Sequence, residues 1–237
     1  MKRISTVLFD LDGTLLRMDL EKFFKLYFDA LCEKFTSLGY EKDKFLKSIL
    51  HSVGAMIKNE TGRLNEEIFW QTFSEKMGED MSGLKDSFDE FYKTEFANAK
   101  AGCGYNEDAD RLIKYLKTKG IRVVLATNPV FPAVATERRM QWAGIDKRDF
   151  EFYTTFENSR YCKPNVKYYA EILEKLGALP EECLMVGNDV KEDMVAETIG
   201  LDVFLLTDDL INRENKDISG YRQGDFAQLF SYFEEIL

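Results

Sequence analysis

Residues 7–16 read VLFDLDGTLL. Val7, Leu8 and Phe9 suit a buried strand, where an unpaired carboxylate costs several kcal/mol or more, yet Asp10 and Asp12 follow at once. Two aspartates placed there need a task at the end of a strand. Taken alone, a DxDG stretch is more often a solvated turn. It also brushes against calcium loops, but Gly13 stands at the fourth position of the run and not the sixth, and no later ligands fit.

Outward from this stretch the chain shows two kinds of territory. Between residues 18 and 98, apolar side chains recur at helical spacing: Phe23, Tyr27 and Leu31; Phe45, Ile49 and Val53; Ile68, Phe69 and Phe73; Leu84, Phe88, Phe91 and Tyr92. This predicts about four helices and no strand. From residue 100 onward, short β-branched runs alternate with longer amphipathic ones, the pattern of repeated β-α units and a parallel sheet. The predicted strands are IRVVLAT (121–127), FEFYTTF (150–156), CLMVGND (183–189) and DVFLLTD (202–208), joined by the opening STVLFD (5–10). The simplest assembly places all five in one sheet, with the helical block as an inserted lobe. Residues 100–105, KAGCGY, would be the return linker, with Gly102 and Gly104 supplying backbone freedom.

Composition narrows the function. The 237 residues are 45% hydrophobic, ample for a core, and 32 basic against 42 acidic residues give a net charge of −10. Such a balance disfavours binding to a nucleic-acid polymer or an anionic membrane surface. No window approaches about 18 uninterrupted apolar residues, and the first acidic turn comes too early for a signal peptide, so a cytoplasmic protein is expected. Four scattered cysteines and a single histidine suggest neither a zinc site nor a disulfide framework. His51 reads as a surface or core residue. GCGYNE at 102–107 does not follow a strand and lacks a third glycine, so no dinucleotide site is predicted.

In open parallel sheets, ligands bind outside the carboxyl ends of the strands. There the sequence places Asp10 and Asp12, then Thr127 and Asn128, then Asn188 and Asp189. After the third strand comes NSRYCKPN (158–165), in which Lys163 precedes Pro164 at a predicted helix start. Acidic ligands for a hard divalent cation, a hydroxyl donor, a fixed positive charge and backbone amides together suit a phosphate ester bound with Mg²⁺.

With these residues in view, the chain resembles the haloacid dehalogenase superfamily, on its phosphatase side. DLDGT matches the family's DxDGT, VVLATN its strand ending in Thr or Ser, CKP its lysine motif and VGNDVKED its acidic fourth motif. The resemblance implies an α/β fold with a Rossmann-like parallel sheet core, formed by residues 1–17 and 100–237, and a helical cap formed by residues 18–99. It further implies that Asp10 is a nucleophile forming an aspartyl-phosphate. Asp12 would be the general acid and base. Gly13, Thr14, Thr127, Asn128 and Lys163 would surround the phosphate, with Lys163 also holding Asp10. Mg²⁺ would be held by Asp10, Asp12 through its carbonyl, and Asp189, supported by Asn188 and Asp193. The fourth motif admits a second alignment, in which Asn188 takes the metal position and Asp189 supports it; the first is preferred.

The expected activity is hydrolysis of a small phosphorylated metabolite. Dehalogenation is disfavoured because the dehalogenases of this superfamily do not place a second aspartate at the position of Asp12. A sugar phosphomutase would keep the same four motifs and stays open. So does a non-catalytic binding protein on a borrowed fold, although binding alone would not need both aspartates. Substrate identity and oligomeric state are not legible.

Overall fold

The structure is a computed structural model that describes residues 4–237. Residues 1–3 of the expected core segment lie outside the described residues. Six parallel strands form one sheet in the order β3-β2-β1-β4-β5-β6: β1 (Thr6–Phe9), β2 (Arg122–Leu125), β3 (Phe152–Tyr153), β4 (Cys183–Gly187), β5 (Asp202–Leu206) and β6 (Gln223–Gly224). Val7, Phe9, Leu125 and Val186 face one apolar cluster, while Leu8, Val124 and Met185 face another, so alternate side chains along each strand enter opposite cores. The first face is covered by α5 (Glu107–Thr118), α6 (Ala133–Trp142) and α8 (Phe226–Ile236), the second by α7 (Val166–Leu176) and a 3₁₀ stretch, Met194–Ile199.

Strand β1 pairs with β2 on one side and β4 on the other. The chain visits β2 and β3 first and then crosses to β4, so the strand order reverses at β1. That reversal opens a crevice at its carboxyl end, where Asp10 and Asp12 stand.

Two strands depart from expectation. The third predicted strand shrinks to two residues, because the chain beyond Tyr153 folds back onto Asn158: its Nδ2 donates to the Tyr153 carbonyl (3.0 Å) and its Oδ1 accepts from the Thr155 amide (2.9 Å). The sixth strand was not predicted. Its two residues carry no strand pattern and gain their extended form only by pairing with Leu205 and Leu206.

Between β1 and α5 lie α1 (Leu20–Ser37), α2 (Lys42–Ile57), α3 (Asn65–Met77), α4 (Lys85–Lys93) and a 3₁₀ stretch, Glu95–Gly102. Asp19 caps α1 by accepting from the Lys22 amide, and Glu41 caps α2 by accepting from Asp43 and Lys44. Aromatic side chains fill the lobe: Phe35 stacks on Phe45 at 4.6 Å and meets Phe88 at 4.4 Å. The two crossing segments run side by side, with Met18 paired to Cys103, the Asp19 amide donating to Gly102 and the Gly104 amide to Arg17. The glycines serve proximity more than freedom. A Cβ on Gly102 would sit 2.6 Å from the Phe23 nitrogen, and one on Gly104 would sit 2.9 Å from the Arg17 Cβ.

The lobe is also docked away from these crossings. Leu64, which precedes α3, offers no capping side chain, and the Asn65 and Glu66 amides instead donate to the Ser159 and Phe156 carbonyls, both at 2.9 Å. Phe96 packs on Trp142 of α6 at 4.9 Å, and a single apolar cluster runs from the lobe into the sheet's first face.

Candidate active site

The turn after β1 closes on itself. The Asp10 amide continues the ladder to Val186 (2.9 Å), while the Gly13 amide donates to Leu16 (2.7 Å) and the Leu16 amide to Leu11 (2.8 Å). Gly13 adopts φ +84°, and a Cβ there would lie 2.2 Å from the Asn188 Nδ2, so only glycine fits. The hydrogen-bonding groups of Gly13 and Thr14, expected near the phosphate, have partners within the protein. The Gly13 amide is spent on Leu16, and the buried Thr14 hydroxyl donates to the Asn188 Oδ1 (3.1 Å).

Asn188 itself is a strut. Besides accepting from Thr14, it donates from Nδ2 to the Asp209 carbonyl (2.6 Å), tying the β1 turn to the loop after β5. Asp209 in turn receives Arg17 through two bonds of 2.9 and 2.8 Å, where the chain leaves for the lobe.

Lys163 is almost wholly buried, 1% exposed, and its Nζ donates to Oδ1 of Asp10 (2.8 Å) and Oδ1 of Asp193 (2.6 Å). Burial alone would lower its ammonium pKa, but Asp10 and Asp193 hold it well above the ordinary value. The predicted helix start is displaced: α7 begins at Val166 behind the capping residue Asn165, so Pro164 lies just outside it. Burial pushes the Asp193 carboxyl upward against the pull of Lys163. The other Asp193 oxygen accepts from the Asp189 amide (2.9 Å), and Asp189 Oδ1 caps the following turn by accepting from Lys191 (2.8 Å) and Glu192 (3.0 Å).

Thr127 lies two residues beyond β2 with its carbonyl held by Thr154 (2.6 Å) and Tyr168 (2.9 Å), and it lines the crevice. Asn128 reaches the same crevice, but its Nδ2 donates to Glu192 (2.9 Å).

Two residues here escaped sequence reasoning. Arg139, on α6 and 1% exposed, is ion-paired with Oδ2 of Asp12 and lies over the Phe131 ring at 4.4 Å. Glu192, inside the quoted acidic motif, lines the crevice, and burial raises its carboxyl pKa. Glu192 could have been suspected from the motif. Arg139 gave no signal, since it sits 127 residues from Asp12 within a helix that reads as an ordinary crossover. The net effect on Asp12 is a raised carboxyl pKa: burial dominates over the pull of Arg139, and Asp10 adds to the rise. The Asp12 Oδ1 is buried without a hydrogen-bond partner.

No group of three His, Cys, Asp or Glu side chains stands ready as a metal cage among the described residues. The donor set nevertheless fits Mg²⁺, which keeps several waters and takes one or two carboxylates together with substrate phosphate. Asp10 and Asp189 both line the crevice, and Asn188 has its side-chain oxygen and nitrogen occupied.

A family model for haloacid dehalogenase-like hydrolases matches residues 4–196. The chain is 25% identical over 190 residues to pyrophosphatase PpaX of Bacillus cereus strain G9842, covering 79% of this chain and 76% of that one. It is 28% identical over 104 residues to the glyceraldehyde 3-phosphate phosphatase of Methanothermobacter thermautotrophicus, covering 44% and 45% of the two chains. Among solved structures it resembles a HAD phosphatase from Thermococcus onnurineus, with TM-score 0.60 and 20% identity over 97% of this chain and 98% of that one. The fold, the ordered motifs at the strand ends and the match across most of the chain agree: this protein belongs to the haloacid dehalogenase-like hydrolases.

Proposed function

We propose that the protein is a Mg²⁺-dependent phosphatase of small phosphorylated metabolites, working through an aspartyl-phosphate on Asp10, with residues 18–99 as its cap and the cytoplasm as its compartment. The observation that carries this reading is the buried Lys163, which joins Asp10 to Asp193 at the point where the strand order reverses. A cation buried at that cost positions a carboxylate and offsets phosphoryl charge.

In the first half-reaction an Asp10 oxygen attacks phosphorus and the bond from phosphorus to the ester oxygen breaks. That oxygen takes the proton held by Asp12, whose raised pKa favours the protonated form. In the second, Asp12 accepts a proton from water as the water oxygen attacks phosphorus, releasing phosphate and restoring Asp10. Thr127 supplies a hydroxyl beside the phosphoryl oxygens. Arg139 fixes one Asp12 oxygen and leaves the other for the proton. Mg²⁺ would be held by Asp10, Asp189 and the Asp12 carbonyl, and when bound it would neutralise charge on the phosphoryl oxygens. The cytoplasmic assignment is supported by four free cysteines and by the absence of any helix, among the described residues, long and apolar enough to cross a membrane.

The test is hydrolysis of p-nitrophenyl phosphate with Mg²⁺ and with chelator, together with mass spectrometry of acid-quenched enzyme. Turnover should vanish in chelator, and a phosphoryl adduct should map to the Asp10 peptide and be absent from Asp10→Asn. Hydrolysis in H₂¹⁸O should place the label in the released phosphate; transfer to an added sugar hydroxyl without label would make it a mutase. Full activity in chelator would overturn the metal assignment, and normal turnover by Asp10→Asn the mechanism.

A further inference from the structure

Above the carboxylates lies a cleft of about 400 Å³, large enough for an organic group well beyond a phosphoryl. Its lobe side is built from two stripes. Leu20, Phe24 and Phe28 recur every fourth residue along α1, and Leu50, Val53 and Ile57 line one face of α2. Phe24, Leu50 and Ile57 are 39, 48 and 42% exposed, so an apolar surface is held open to solvent at the mouth of the cleft. The lobe contributes no charged side chain to these walls, and its single hydroxyl there, on Tyr27, is bonded to Tyr92 at 3.0 Å.

The charges in the cleft belong to the sheet side. Five carboxylates, from Asp10, Asp12, Asp189, Glu192 and Asp193, line it against two arginines. Arg139 is committed to Asp12, and Arg213 stands exposed, where solvent screens it. A substrate with a second anionic group would bring that charge against the apolar lobe walls, with no buried cation free to receive it.

We propose that the substrate is a phosphate monoester whose organic part is apolar and uncharged, an alkyl or aryl phosphate, and that neither pyrophosphate nor an ester bearing a second anionic group is preferred. This rests on the phosphatase reading above and names the substrate class for that same site. It departs from the activity for which the B. cereus PpaX relative is named.

The test is a series of primary alkyl phosphates from ethyl to octyl, each paired with the ω-carboxylate ester of equal length, alongside pyrophosphate and p-nitrophenyl phosphate as an activated reporter. Leaving-group acidity is nearly constant along the alkyl series, so the slope reports burial. kcat/KM should rise roughly three- to fourfold per added methylene until the cleft is filled. Each carboxylate counterpart should fall roughly tenfold or more below its alkyl partner, since an anion there meets apolar walls and no buried cation. Leu50→Arg, at a half-exposed position, should flatten the alkyl slope and raise the carboxylate series. A flat slope, or preference for pyrophosphate or the carboxylates while p-nitrophenyl phosphate is still hydrolysed, would overturn this inference alone. Failure on every ester, the activated reporter included, would overturn the phosphatase reading and this inference with it.

Discussion

The sheet edge and the helical lobe face each other across one cleft and are built on opposite principles. At the sheet edge almost every side chain is polar, buried and bonded to at least one other, with Lys163 between two carboxylates and Asn188 between Thr14 and Asp209. Across from it, the lobe offers Phe24, Leu50 and Ile57 with no polar atom and substantial exposure. Buried ionic networks are costly unless every member is satisfied, so one half tolerates almost no substitution. Apolar surface is non-directional and roughly additive in area, so the other half can change its shape while retaining its chemistry. On the function proposed above, the difference separates a reaction centre from a surface that selects what reacts.

The contrast is broken most severely from the sheet side. Asp10→Asn should abolish the covalent adduct and reduce turnover by several orders of magnitude, because an amide is a poor nucleophile. Asp12→Asn should retain the adduct with a good leaving group and lose turnover by about 10²- to 10⁴-fold, as seen in burst and steady-state phases of p-nitrophenyl phosphate hydrolysis.

Lys163→Met should lose activity and also destabilise by about 3–5 kcal/mol in urea unfolding, since it leaves buried carboxylates without their cation. The loss should depend on pH in a definite direction. Burial already holds Asp193 above its unfolded pKa, so the folded protein binds the extra proton and this group's contribution declines as pH rises from the unfolded towards the folded value. Removing Lys163 takes away a lowering influence and widens that window upward. Because the wild-type Asp193 carboxyl is already pushed up to about 7, the two proteins diverge above that value: the variant should be more destabilised relative to wild type at about pH 8.5 than at about pH 6, and an equal deficit at both would mean that Lys163 does not lower the Asp193 pKa.

From the lobe side, Phe96→Ala should cost about 3–5 kcal/mol, because this fully buried ring packs on Trp142 and joins the lobe to the sheet domain. Lobe and sheet should still unfold in one transition by calorimetry, and two separated transitions would make the lobe an independent body.

The smallest and sharpest effect separates neighbours. Asp189→Ala should raise the Mg²⁺ concentration needed for half-maximal activity, with a stability loss of only about 1 kcal/mol from its lost bonds to the Lys191 and Glu192 amides. Asn188→Ala should lower stability by about 1–3 kcal/mol through its lost bonds to Thr14 and Asp209. The reverse pattern would move the metal to Asn188.

By itself the sequence determined five of the six strands of the sheet, the inserted helices and which strand ends carry polar groups. Those features are local: a buried parallel strand must read as an apolar run, and the side chains just beyond its carboxyl end reach the crevice whatever the remainder of the chain does. Asp10, Asp12 and Thr127 were legible as crevice residues for that reason, while Lys163 and Asp193 were named through the motifs that contain them. Only the tertiary structure decided what depends on approach between distant segments. Arg139 meets Asp12 because α6 packs beside the β1 turn, and Gly13 and Thr14 close on Asn188 because the loop after β4 lies against them. The third strand stops early when Asn158 takes its backbone bonds, and α3 finds its cap in the carbonyls of Phe156 and Ser159. Helical periodicity marked Phe24 and Leu50 as apolar positions, but hydrophobicity carries no direction. Whether such a residue fills a core or lines a cleft is settled by what packs against it, and the lobe leaves these two partly open to the cleft.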